Sequence, residues 1–545
     1  MPEVIVVGAG PTGLMLALEL GRRGIATLVL SDNRTTSATP KATVTQARTM
    51  EQFRRVGLAG AVRATGIPAD LPTDAVYTTR IARHELARHR MPSPDEARRR
   101  VRDAASVTPE LTHRSSQMWI EPLLVAACRR VPAIDLRLGW RVTRFHDTGD
   151  AVTVDAEHDG RPHAFTAAYL VGCDGAASTI RAQLGIDLGD SAAITAFKGR
   201  PMFSVHARAP RMFERLGLPR GWLFAAINPA QRGSCIVLSD TEIKLNFWRP
   251  AAWTGDTVTR DQIAEIQHAM FGRAIDFDVI GTKSWRGGAS RVAGAYRRGR
   301  VLLAGDAAHL FTPSAGLGYC TGIDDAVNLG WKLAALVRGW GGAALLDAYE
   351  RECRPEALRR TRFAADCAER LAVFQPSAEI DRDTLAGAQE RARAAAYFAT
   401  HLPRQYDIPG INFGARFDDS PIIAGDHAPP PPGDANHYTP SGKPGGRAPH
   451  AWLPDGRALY DALGPGFTLL VLDPRARDEA ARLHRAATAR GIPLVVYPVP
   501  AHPATALRDR YEADLALIRP DHVIAWRGAI ADDAVLARIT GTVPR

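Results

Sequence analysis

Three short motifs, far apart in the chain, combine glycines with polar residues at the expected ends of strands. They occupy residues 4–13, 171–175 and 302–309, and the second and third each contain an aspartate. Glycine lets the backbone approach a ligand closely, and carboxylates accept hydrogen bonds from hydroxyl groups. These residue types are suited to binding a cofactor that carries phosphates, sugar hydroxyls and a flat ring.

The first motif has the strand–turn–helix form that binds a pyrophosphate. Residues 4–7 are apolar and β-branched, which predicts a buried parallel strand. The three glycines that follow allow a tight turn, close approach of the pyrophosphate and close packing of the helix on the strand. The N-terminal N–H groups and dipole of the helix then favour the phosphates. The residues assigned to this role are Gly8, Gly10, Pro11, Thr12 and Gly13.

The residue that binds the ribose is ambiguous. An acidic residue about 20 positions after the glycines usually accepts hydrogen bonds from the ribose hydroxyls. The second predicted strand, residues 25–30, is followed by Ser31 and Asp32. Either the strand end is shifted by one residue and Asp32 binds the ribose, which we favour, or Ser31 makes a weaker contact. Asp32 also suits a simple turn.

The second and third motifs place aspartates after predicted strands. Asp174 with Gly175 fits ligand contact at a strand end, although Asp-Gly is also a common turn. Asp306, after Gly305, can accept a hydrogen bond from a ribose or ribityl hydroxyl. The next loop and the predicted helix 322–337 would bring backbone N–H groups to a flat ring and stabilise negative charge on it. The loop residues assigned to this role are Pro313, Gly316, Leu317 and Gly318. In this order, the three motifs predict an FAD site and an oxidation reaction.

Composition limits the class of protein. The chain has 545 residues, 46% hydrophobic and 23% charged, which indicates a globular protein with about two to four domains. We find no apolar stretch of about 18 residues and no secretory signal, and therefore expect a cytoplasmic protein without a membrane span. The six cysteines form no CxxC pair, which argues against a metal site. The net charge of +10 is spread widely, without a recognised nucleic-acid module.

The hydrophobic pattern predicts an interrupted nucleotide-binding domain. Its two parts are residues 1–185, with an irregular excursion over 76–110, and residues 291–405. Alternating patterns within 186–290 predict an inserted antiparallel sheet for the substrate. After a breaker-rich linker, residues 406–545 contain a small α/β domain in the order strand, helix, strand, helix, strand. Its second helix is predicted over residues 508–518.

The chain resembles the single-component FAD-dependent aromatic hydroxylases, flavoprotein monooxygenases related to para-hydroxybenzoate hydroxylase. The similarity is carried by the three motifs, by Ser116-Gln117 before a helix, and by residues 316–333 and 459–470. It looks closest to the longer branch of phenol-type, hydroxyphenylpropionate and polyketide-tailoring hydroxylases. The resemblance implies an α/β fold: a Rossmann-like FAD-binding domain, an inserted antiparallel-sheet substrate domain and a C-terminal thioredoxin-like domain.

The resemblance also implies roles for individual residues. The residue matching Gln117 contacts the FAD linker, and the one matching Asp306 binds ribityl hydroxyls. The residue matching Asp174 serves FAD and can also serve the nicotinamide cofactor. Arg48, in a predicted helix one turn before Glu51, is also assigned to the cofactor. The chain departs from the family pattern in two places: at Ser31, where Glu is usual, and at Tyr319-Cys320, where Met-Asn or a similar pair is common.

The implied reaction is aromatic hydroxylation. NADH or NADPH reduces FAD, the reduced flavin and O2 form a C4a-hydroperoxide, and its terminal oxygen is transferred to an electron-rich ring. A base near a phenolic hydroxyl would help. The candidates for catalytic groups are His206, Trp222 and Asn228. We expect a monomer or homodimer that binds a small aromatic substrate and O2.

Two alternatives stay open at this point. A Baeyer–Villiger or epoxidising monooxygenase would use the same fold and the same flavin. An FAD-binding protein that sequesters an aromatic ligand without turnover would also retain the motifs. Within the hydroxylase interpretation, the roomy insert favours a bulky, weakly charged aromatic substrate, and a narrow pocket capped by a carboxylate-binding arginine would contradict this.

Overall fold

The computed structural model describes residues 1–103, 106–192, 201–253, 255, 257–286, 290–426 and 429–542. The strands are β1 (Val4–Val7), β2 (Thr27–Ser31), β3 (Ala75–Thr78), β4 (Glu85–His89), β5 (Ile134–Leu138), β6 (Arg141–Asp147), β7 (Val152–His158), β8 (Arg161–Ala167), β9 (Tyr169–Gly172), β10 (Leu188–Asp190), β11 (Pro201–Arg208), β12 (Leu223–Ala226), β13 (Gly233–Val237), β14 (Glu242–Trp248), β15 (Asp278–Arg286), β16 (Arg291–Ala293), β17 (Arg297–Arg298), β18 (Val301–Leu303), β19 (His309–Leu310), β20 (Phe467–Val471), β21 (Leu494–Pro498), β22 (Leu515–Ile518) and β23 (Ile524–Gly528).

The helices are α1 (Pro11–Gly21), α2 (Ala47–Arg55), α3 (Ala59–Arg63), α4 (Pro94–Arg100), α5 (Gln117–Arg129), α6 (Thr179–Gln183), α7 (Met212–Leu216), α8 (Arg260–Phe271), α9 (Gly318–Val337), α10 (Ala344–Val373), α11 (Leu385–Tyr406), α12 (Pro409–Phe413), α13 (Arg477–Ala489), α14 (Ala501–Tyr511) and α15 (Asp533–Ile539). Short 3₁₀ turns cover Gly305–Ala307, Pro313–Ala315, Ala378–Asp381, Leu459–Ala462 and Pro474–Ala476. In the ranges that the structure describes, no helix has the length and apolar character needed to cross a membrane.

A six-stranded sheet in the order β17-β18-β9-β1-β2-β5 forms the predicted Rossmann-like domain. Strands β18, β9, β1, β2 and β5 run parallel to one another. Strand β1 is buried along its length, as its apolar, β-branched sequence predicts. The three motifs follow β1, β9 and β18, which are neighbours in this sheet. Because the carboxyl ends of parallel strands share one edge, motifs separated by more than a hundred residues in the chain meet there.

A seven-stranded sheet in the order β15-β11-β14-β13-β12-β3-β4 forms the substrate domain. It is antiparallel except where β12 pairs in parallel with β3. Apart from Ala75, strands β3 and β4 lie within residues 76–110, for which an irregular excursion was predicted. The reason is burial on both faces: all four residues of β3 are buried, so no alternation marks the strand. Tyr77 of β3 packs edge-on against Phe398 of α11, 4.8 Å away between ring centroids.

The C-terminal thioredoxin-like domain has a four-stranded sheet in the order β21-β20-β22-β23, with β20 and β21 parallel and the other pairs antiparallel. The predicted helix over residues 508–518 is wrong. Helix α14 ends at Tyr511, Glu512 adopts a left-handed φ of 49°, and the next apolar residues form the buried strand β22. A four-residue apolar run does not distinguish strand from helix by its periodicity.

Candidate functional site

Of the three glycines in the turn after β1, Gly8 and Gly13 allow close packing of the protein, and Gly10 leaves space for a ligand. Gly8 has φ of 107°, and a Cβ there would lie 2.3 Å from the carbonyl oxygen of Cys173. A Cβ on Gly13 would lie 2.0 Å from the carbonyl oxygen of Gly8. Gly10 differs, because its Cβ would meet no atom of the described residues within 4 Å. The backbone at Gly10 therefore borders open space, as close approach of a pyrophosphate requires.

The N-terminus of α1 points donors at the same space. Gly10 is the N-cap, Pro11 is the first helical residue, and no side chain from the described residues caps this end. The backbone N–H groups of Thr12 and Gly13 belong to the first turn, which lacks partners inside the helix. An anion such as a pyrophosphate satisfies such groups. The structure thus fits the cofactor that the first motif predicts.

Thr12 also joins the first motif to the third. A Cβ on Gly305 would lie 2.6 Å from Thr12 Oγ1, and one on Gly322 would lie 2.3 Å from the same atom. Both glycines therefore allow the 3₁₀ turn after β18 and helix α9 to approach the start of α1 closely. This contact places the predicted phosphate-binding turn beside the 3₁₀ turn that carries Asp306 and beside the helix that follows the loop 313–318.

Asp306 lies in the 3₁₀ turn 305–307, which is stabilised by the buried carboxylate of Asp325. Asp325 Oδ2 accepts a hydrogen bond from Gly305 N at 2.9 Å and lies 2.6 Å from His309 Nε2. Both Asp325 and His309 are buried, whereas the Asp306 side chain is exposed to the cavity that it lines. The surrounding protein raises the pKa of Asp306, and nearby His309 and Lys41 oppose this. Asp325 lies in the run 316–333 that carries the family resemblance, but its role was not predicted, because its partners lie 16 and 20 residues earlier in the chain.

The carboxylate of Asp174 forms hydrogen bonds with other residues of the protein. Its carboxylate accepts hydrogen bonds from Ser178 Oγ at 2.5 Å and Ile180 N at 3.1 Å, and thereby holds the start of α6. Burial raises the pKa of Asp174, and these hydrogen bonds act in the opposite direction. The carboxylate lies after β9, beside the glycine turn. Its role toward FAD or a nicotinamide cofactor stays a prediction.

The segment 39–46 connects Gln117 to the ring-binding loop. Gln117 begins α5, lines the cavity, and donates from its backbone N–H to Ala42 O at 2.8 Å. Gln46 Nε2 donates to Ala315 O at 3.2 Å. Its backbone N–H donates to Cys320 Sγ at 3.4 Å, and Tyr319 bonds through its hydroxyl to Thr45. The two residues that depart from the family pattern, Tyr319 and Cys320, therefore anchor this segment.

The ring-binding loop, residues 313–318, is so named for its predicted role, and it lines the cavity. The cavity lining includes Pro313, Gly316, Leu317 and Gly318. Gly316 has φ of 64°, and its Cβ would lie 3.1 Å from Val44 Cβ, so a larger residue would be strained there. Helix α9 begins at Gly318, four residues before the predicted start. Gly318 and Tyr319 of its first turn line the cavity, and N–H groups at a helix N-terminus stabilise negative charge.

Ser31, Asp32 and Arg48 are not among the residues that line this cavity. Ser31 is the buried last residue of β2, and its carbonyl accepts a hydrogen bond from the N–H of Trp140 at 2.7 Å. Asp32 is exposed immediately after β2, so its carboxylate is accessible for the ribose role that we favour. Arg48 is not in the cavity lining. It donates to Glu51 Oε2 at 2.8 Å and to Asp521 O at 2.6 Å, and so contacts the C-terminal domain.

A cavity of about 1000 Å³ extends from the segment 39–46 and the loop 313–318 to the seven-stranded sheet. This volume is at the upper end of ordinary ligand pockets and suits a large flat molecule. Side chains from β11, β14 and β15 form its far wall: Met202, Ser204, His206, Asn246, Trp248 and Trp285. The predicted cofactor loop and the predicted substrate sheet therefore face one shared space.

Two of the three catalytic candidates line this cavity. His206 is on β11, and its Nε2 lies 2.7 Å from Glu242 Oε2 on β14. Trp222 is buried beside the start of β12, and its ring centroid lies 4.0 Å from the guanidinium carbon of Arg114. Among the described residues that line the cavity, His206 is the histidine, and its pair with Glu242 joins an imidazole to a carboxylate. Such a pair can hold or accept a proton.

Asn228, the third candidate, lies outside the cavity lining. Its Nδ2 donates to Thr79 O at 2.9 Å and to Ala269 O at 3.3 Å. Its Oδ1 accepts from Ala230 N at 3.1 Å and Gln231 N at 2.9 Å. All of its hydrogen-bonding capacity is used to hold the loop after β12. The structure thus gives Asn228 a structural position rather than one facing a substrate.

Cationic groups in the cavity were not foreseen from the sequence. Lys244 Nζ donates to Lys41 O at 3.0 Å, and burial, assisted by Lys283, lowers its pKa to about 8. Arg232 donates to the carbonyls at the end of α10, and Arg114 lies under the Trp222 ring. The cavity is as roomy as expected, but its lining is more cationic than a weakly charged substrate would require. Isolated Lys and Arg residues in strands and loops carry no sequence signal for burial.

Comparisons with known proteins agree with this architecture. Residues 1–364 match the family described as FAD binding domain, and residues 441–543 match the one described as aromatic-ring hydroxylase, C-terminal. The FAD-dependent monooxygenase apdD of Emericella nidulans is 30% identical, covering 96% of this chain and 87% of its own length. Aklavinone 12-hydroxylase RdmE of Streptomyces purpurascens is 30% identical, covering 96% and 95%. The solved flavin-dependent monooxygenase PieE, in complex with FAD and substrate, matches with a TM-score of 0.89 and 27% identity, covering 100% of both chains.

Proposed function

The chain belongs to the FAD-dependent aromatic hydroxylases, and from this premise we propose that it uses NADPH or NADH and O2 to hydroxylate an aromatic substrate in the shared cavity. Membership makes it an FAD-dependent monooxygenase; the nicotinamide cofactor, the hydroxylation and the bulky substrate are the proposed parts. The cavity carries the proposal, because the ring-binding loop and the seven-stranded sheet both line it. Aklavinone 12-hydroxylase, by its name, hydroxylates aklavinone, which supports hydroxylation as the reaction proposed here.

We assign the cofactor to the residues that border the open space. The backbone around Gly10 and the first turn of α1 would hold the pyrophosphate, and Asp306 would accept hydrogen bonds from ribityl hydroxyls. The loop 313–318 would lie beside the flat ring. Bound FAD supplies the redox and oxygen-activating chemistry, and the protein orients the substrate and excludes water.

The first experiment measures turnover and the fate of oxygen. The purified protein is mixed with NADPH or NADH and a panel of mono- and polycyclic phenols under ¹⁸O2, and hydrogen peroxide is measured in parallel. We expect substrate-stimulated oxidation of the nicotinamide with one labelled oxygen in a hydroxylated product. An ester or lactone product would instead support Baeyer–Villiger chemistry. Tight binding without labelled product from any bound compound would support ligand sequestration.

His206 is proposed to accept the proton of the substrate hydroxyl. Its ring lines the cavity, and the Glu242 carboxylate, 2.7 Å from its Nε2, would hold the ring in position. We expect His206→Asn to lower kcat about 100-fold or more, the scale of a lost general base. Flavin reduction by the nicotinamide should be unchanged in the same variant. Glu242→Gln should show a smaller loss, because the imidazole remains.

Stopped-flow kinetics separate the two steps. Anaerobic mixing with NADPH measures flavin reduction, and mixing the reduced protein with O2 and substrate measures product formation. A His206→Asn variant with normal product formation would contradict the proposed role. A variant slowed equally in both steps would point to a structural role for His206 instead.

A further inference from the structure

Arg114 is a buried cation that faces the cavity without a carboxylate partner. It is 7% exposed, and its guanidinium carbon lies 4.0 Å from the ring centroid of Trp222. Among the described residues, its side chain makes one hydrogen bond, from Nη2 to the thioether sulfur of Met91 at 3.4 Å. Its Nε donor is buried and has no partner there. A thioether is a weak acceptor, so most of the donors of this guanidinium are left to a ligand.

The other buried arginines show what such a group normally requires. In the part of the chain that the structure describes, four arginines are buried, and three of them bond to carboxylates. These pairs are Arg360 with Asp324 and Glu356, Arg447 with Glu51, and Arg519 with Glu352 and Asp521. Burying a charge without a partner is costly, and the cation–π contact with Trp222 offsets part of the cost. Arg114 is thus the exception, and it lines the cavity.

The backbone fixes Arg114 in place. The preceding residue, His113, forms an antiparallel bridge with Thr45, and the Arg114 carbonyl accepts a hydrogen bond from Ile67 N at 3.2 Å. Burial lowers the pKa of Arg114 to about 10, so the guanidinium is still charged at neutral pH. A planar, rigid cation with free donors matches a planar oxyanion, which it can bind through two parallel hydrogen bonds.

We propose that Arg114 binds an oxyanion on the aromatic substrate, a carboxylate or an ionised acidic hydroxyl, while Trp222 supports the guanidinium from its other face. This inference rests on the proposed function only in placing an aromatic molecule in the cavity. It defines the substrate class as aromatic compounds that carry an anionic group. A neutral analogue would leave the charge of Arg114 without a partner, so Arg114 would favour anionic substrates over neutral ones.

The test compares matched acids and amides bound to the oxidised holoenzyme without a nicotinamide cofactor. The probes are 4-hydroxybenzoate with 4-hydroxybenzamide and 3-hydroxy-2-naphthoate with 3-hydroxy-2-naphthamide, and their Kd values are read from the change in flavin absorbance. We expect the wild-type protein to prefer at least one acid over its amide by about 10- to 100-fold, as for a charge-assisted hydrogen bond. Arg114→Met should abolish this preference by weakening acid binding, and Arg114→Lys should retain part of it.

Arg232→Met is the matched control. Arg232 also lines the cavity, but its donors already bond to carbonyls at the end of α10, so the acid-to-amide ratio should stay as in the wild type. Folding is monitored by circular dichroism and FAD content. Arg114→Met should remain folded, because it removes a buried charge and replaces it with an apolar group.

Three results would overturn the proposal. They are a wild-type protein that prefers neither acid, an Arg114→Met variant with an unchanged preference, and a variant that shifts only the reduction potential of the bound flavin. The last would assign the cation to the flavin rather than to the substrate. Because these measurements involve no turnover, their outcome is independent of whether labelled oxygen enters a product.

Discussion

Replacing Gly10 with alanine is expected to weaken FAD binding by about 10- to 100-fold without disturbing the fold. In the protein alone, a Cβ at Gly10 would meet nothing within 4 Å among the described residues, and its φ of −76° is open to any residue. The proposed pyrophosphate would occupy that space, so the added methyl group would collide with the cofactor, at a cost of about 1–3 kcal/mol. Flavin fluorescence titration of the apoprotein measures the affinity.

Two other glycines serve as controls for this prediction. A Cβ on Gly13 would lie 2.0 Å from Gly8 O, so Gly13→Ala should lower both FAD affinity and the melting temperature. A Cβ on Gly60, in α3, meets nothing within 4 Å of the described residues, and Gly60→Ala should change neither by much. If Gly10→Ala binds FAD as tightly as Gly60→Ala does, the pyrophosphate does not lie against this turn.

Glu352→Gln is expected to lower the free energy of unfolding by about 3–5 kcal/mol, the cost of breaking a buried ion pair. Glu352 is fully buried and accepts hydrogen bonds from Lys332 at 2.6 Å and from Arg519 at 2.7 and 2.8 Å. Lys332 belongs to α9 and Arg519 follows β22, so the carboxylate joins the FAD-binding domain to the C-terminal domain. A neutral amide would leave the ammonium of Lys332 buried without a carboxylate partner. Urea unfolding measures the loss, and proteolysis should release the C-terminal domain sooner.

The same cluster predicts a dependence on pH. Burial alone would raise the pKa of Glu352, but Arg519 and Lys332 outweigh it and hold the pKa well below its usual range. A carboxylate with a lowered folded-state pKa stabilises the protein above its unfolded pKa, and this stability is lost as the pH falls. The difference in unfolding free energy between wild type and Glu352→Gln should therefore shrink below about pH 4.5. A difference that stays constant down to pH 3 would contradict this.

An exposed pair provides the control for Glu352. Glu379 bonds to Arg382 at 2.8 Å, and both side chains are largely solvated. Glu379→Gln should change the free energy of unfolding by less than about 1 kcal/mol, as is typical of surface ion pairs. An equal effect of the two substitutions would show that the buried cluster does not hold the C-terminal domain in place.

The FAD-binding architecture could be predicted because it depends on short, local patterns. The apolar run of β1, the spacing of Gly8, Gly10 and Gly13, and the strand-ending aspartates each report backbone geometry within a few residues. Boundaries were less predictable where local pattern was weak. Strand β22 was predicted as helix, and β3 as part of an irregular excursion, because short buried runs have no distinctive period.

The chemical environment of the cavity was decided by tertiary contacts. Arg48, whose predicted role at the cofactor stays a prediction, also donates a hydrogen bond to the carbonyl of Asp521, 473 residues later in the chain. His206 acquires its carboxylate from a neighbouring strand, and Arg114 is exceptional because no carboxylate among the described residues forms an ion pair with it. A side chain's charge state and partners depend on which distant segments pack against it, and no local pattern records that.

The sequence by itself determined that this chain binds FAD at the edge of a parallel sheet and carries an inserted sheet and a C-terminal α/β domain. Glycine conformations and strand periodicity are set by neighbouring residues, so they can be read in order along the chain. Only the tertiary structure decided which cations enter the cavity and which are neutralised elsewhere. Burial and pairing free energies depend on three-dimensional surroundings, which in this protein combine residues from both sheets and from the loops between them.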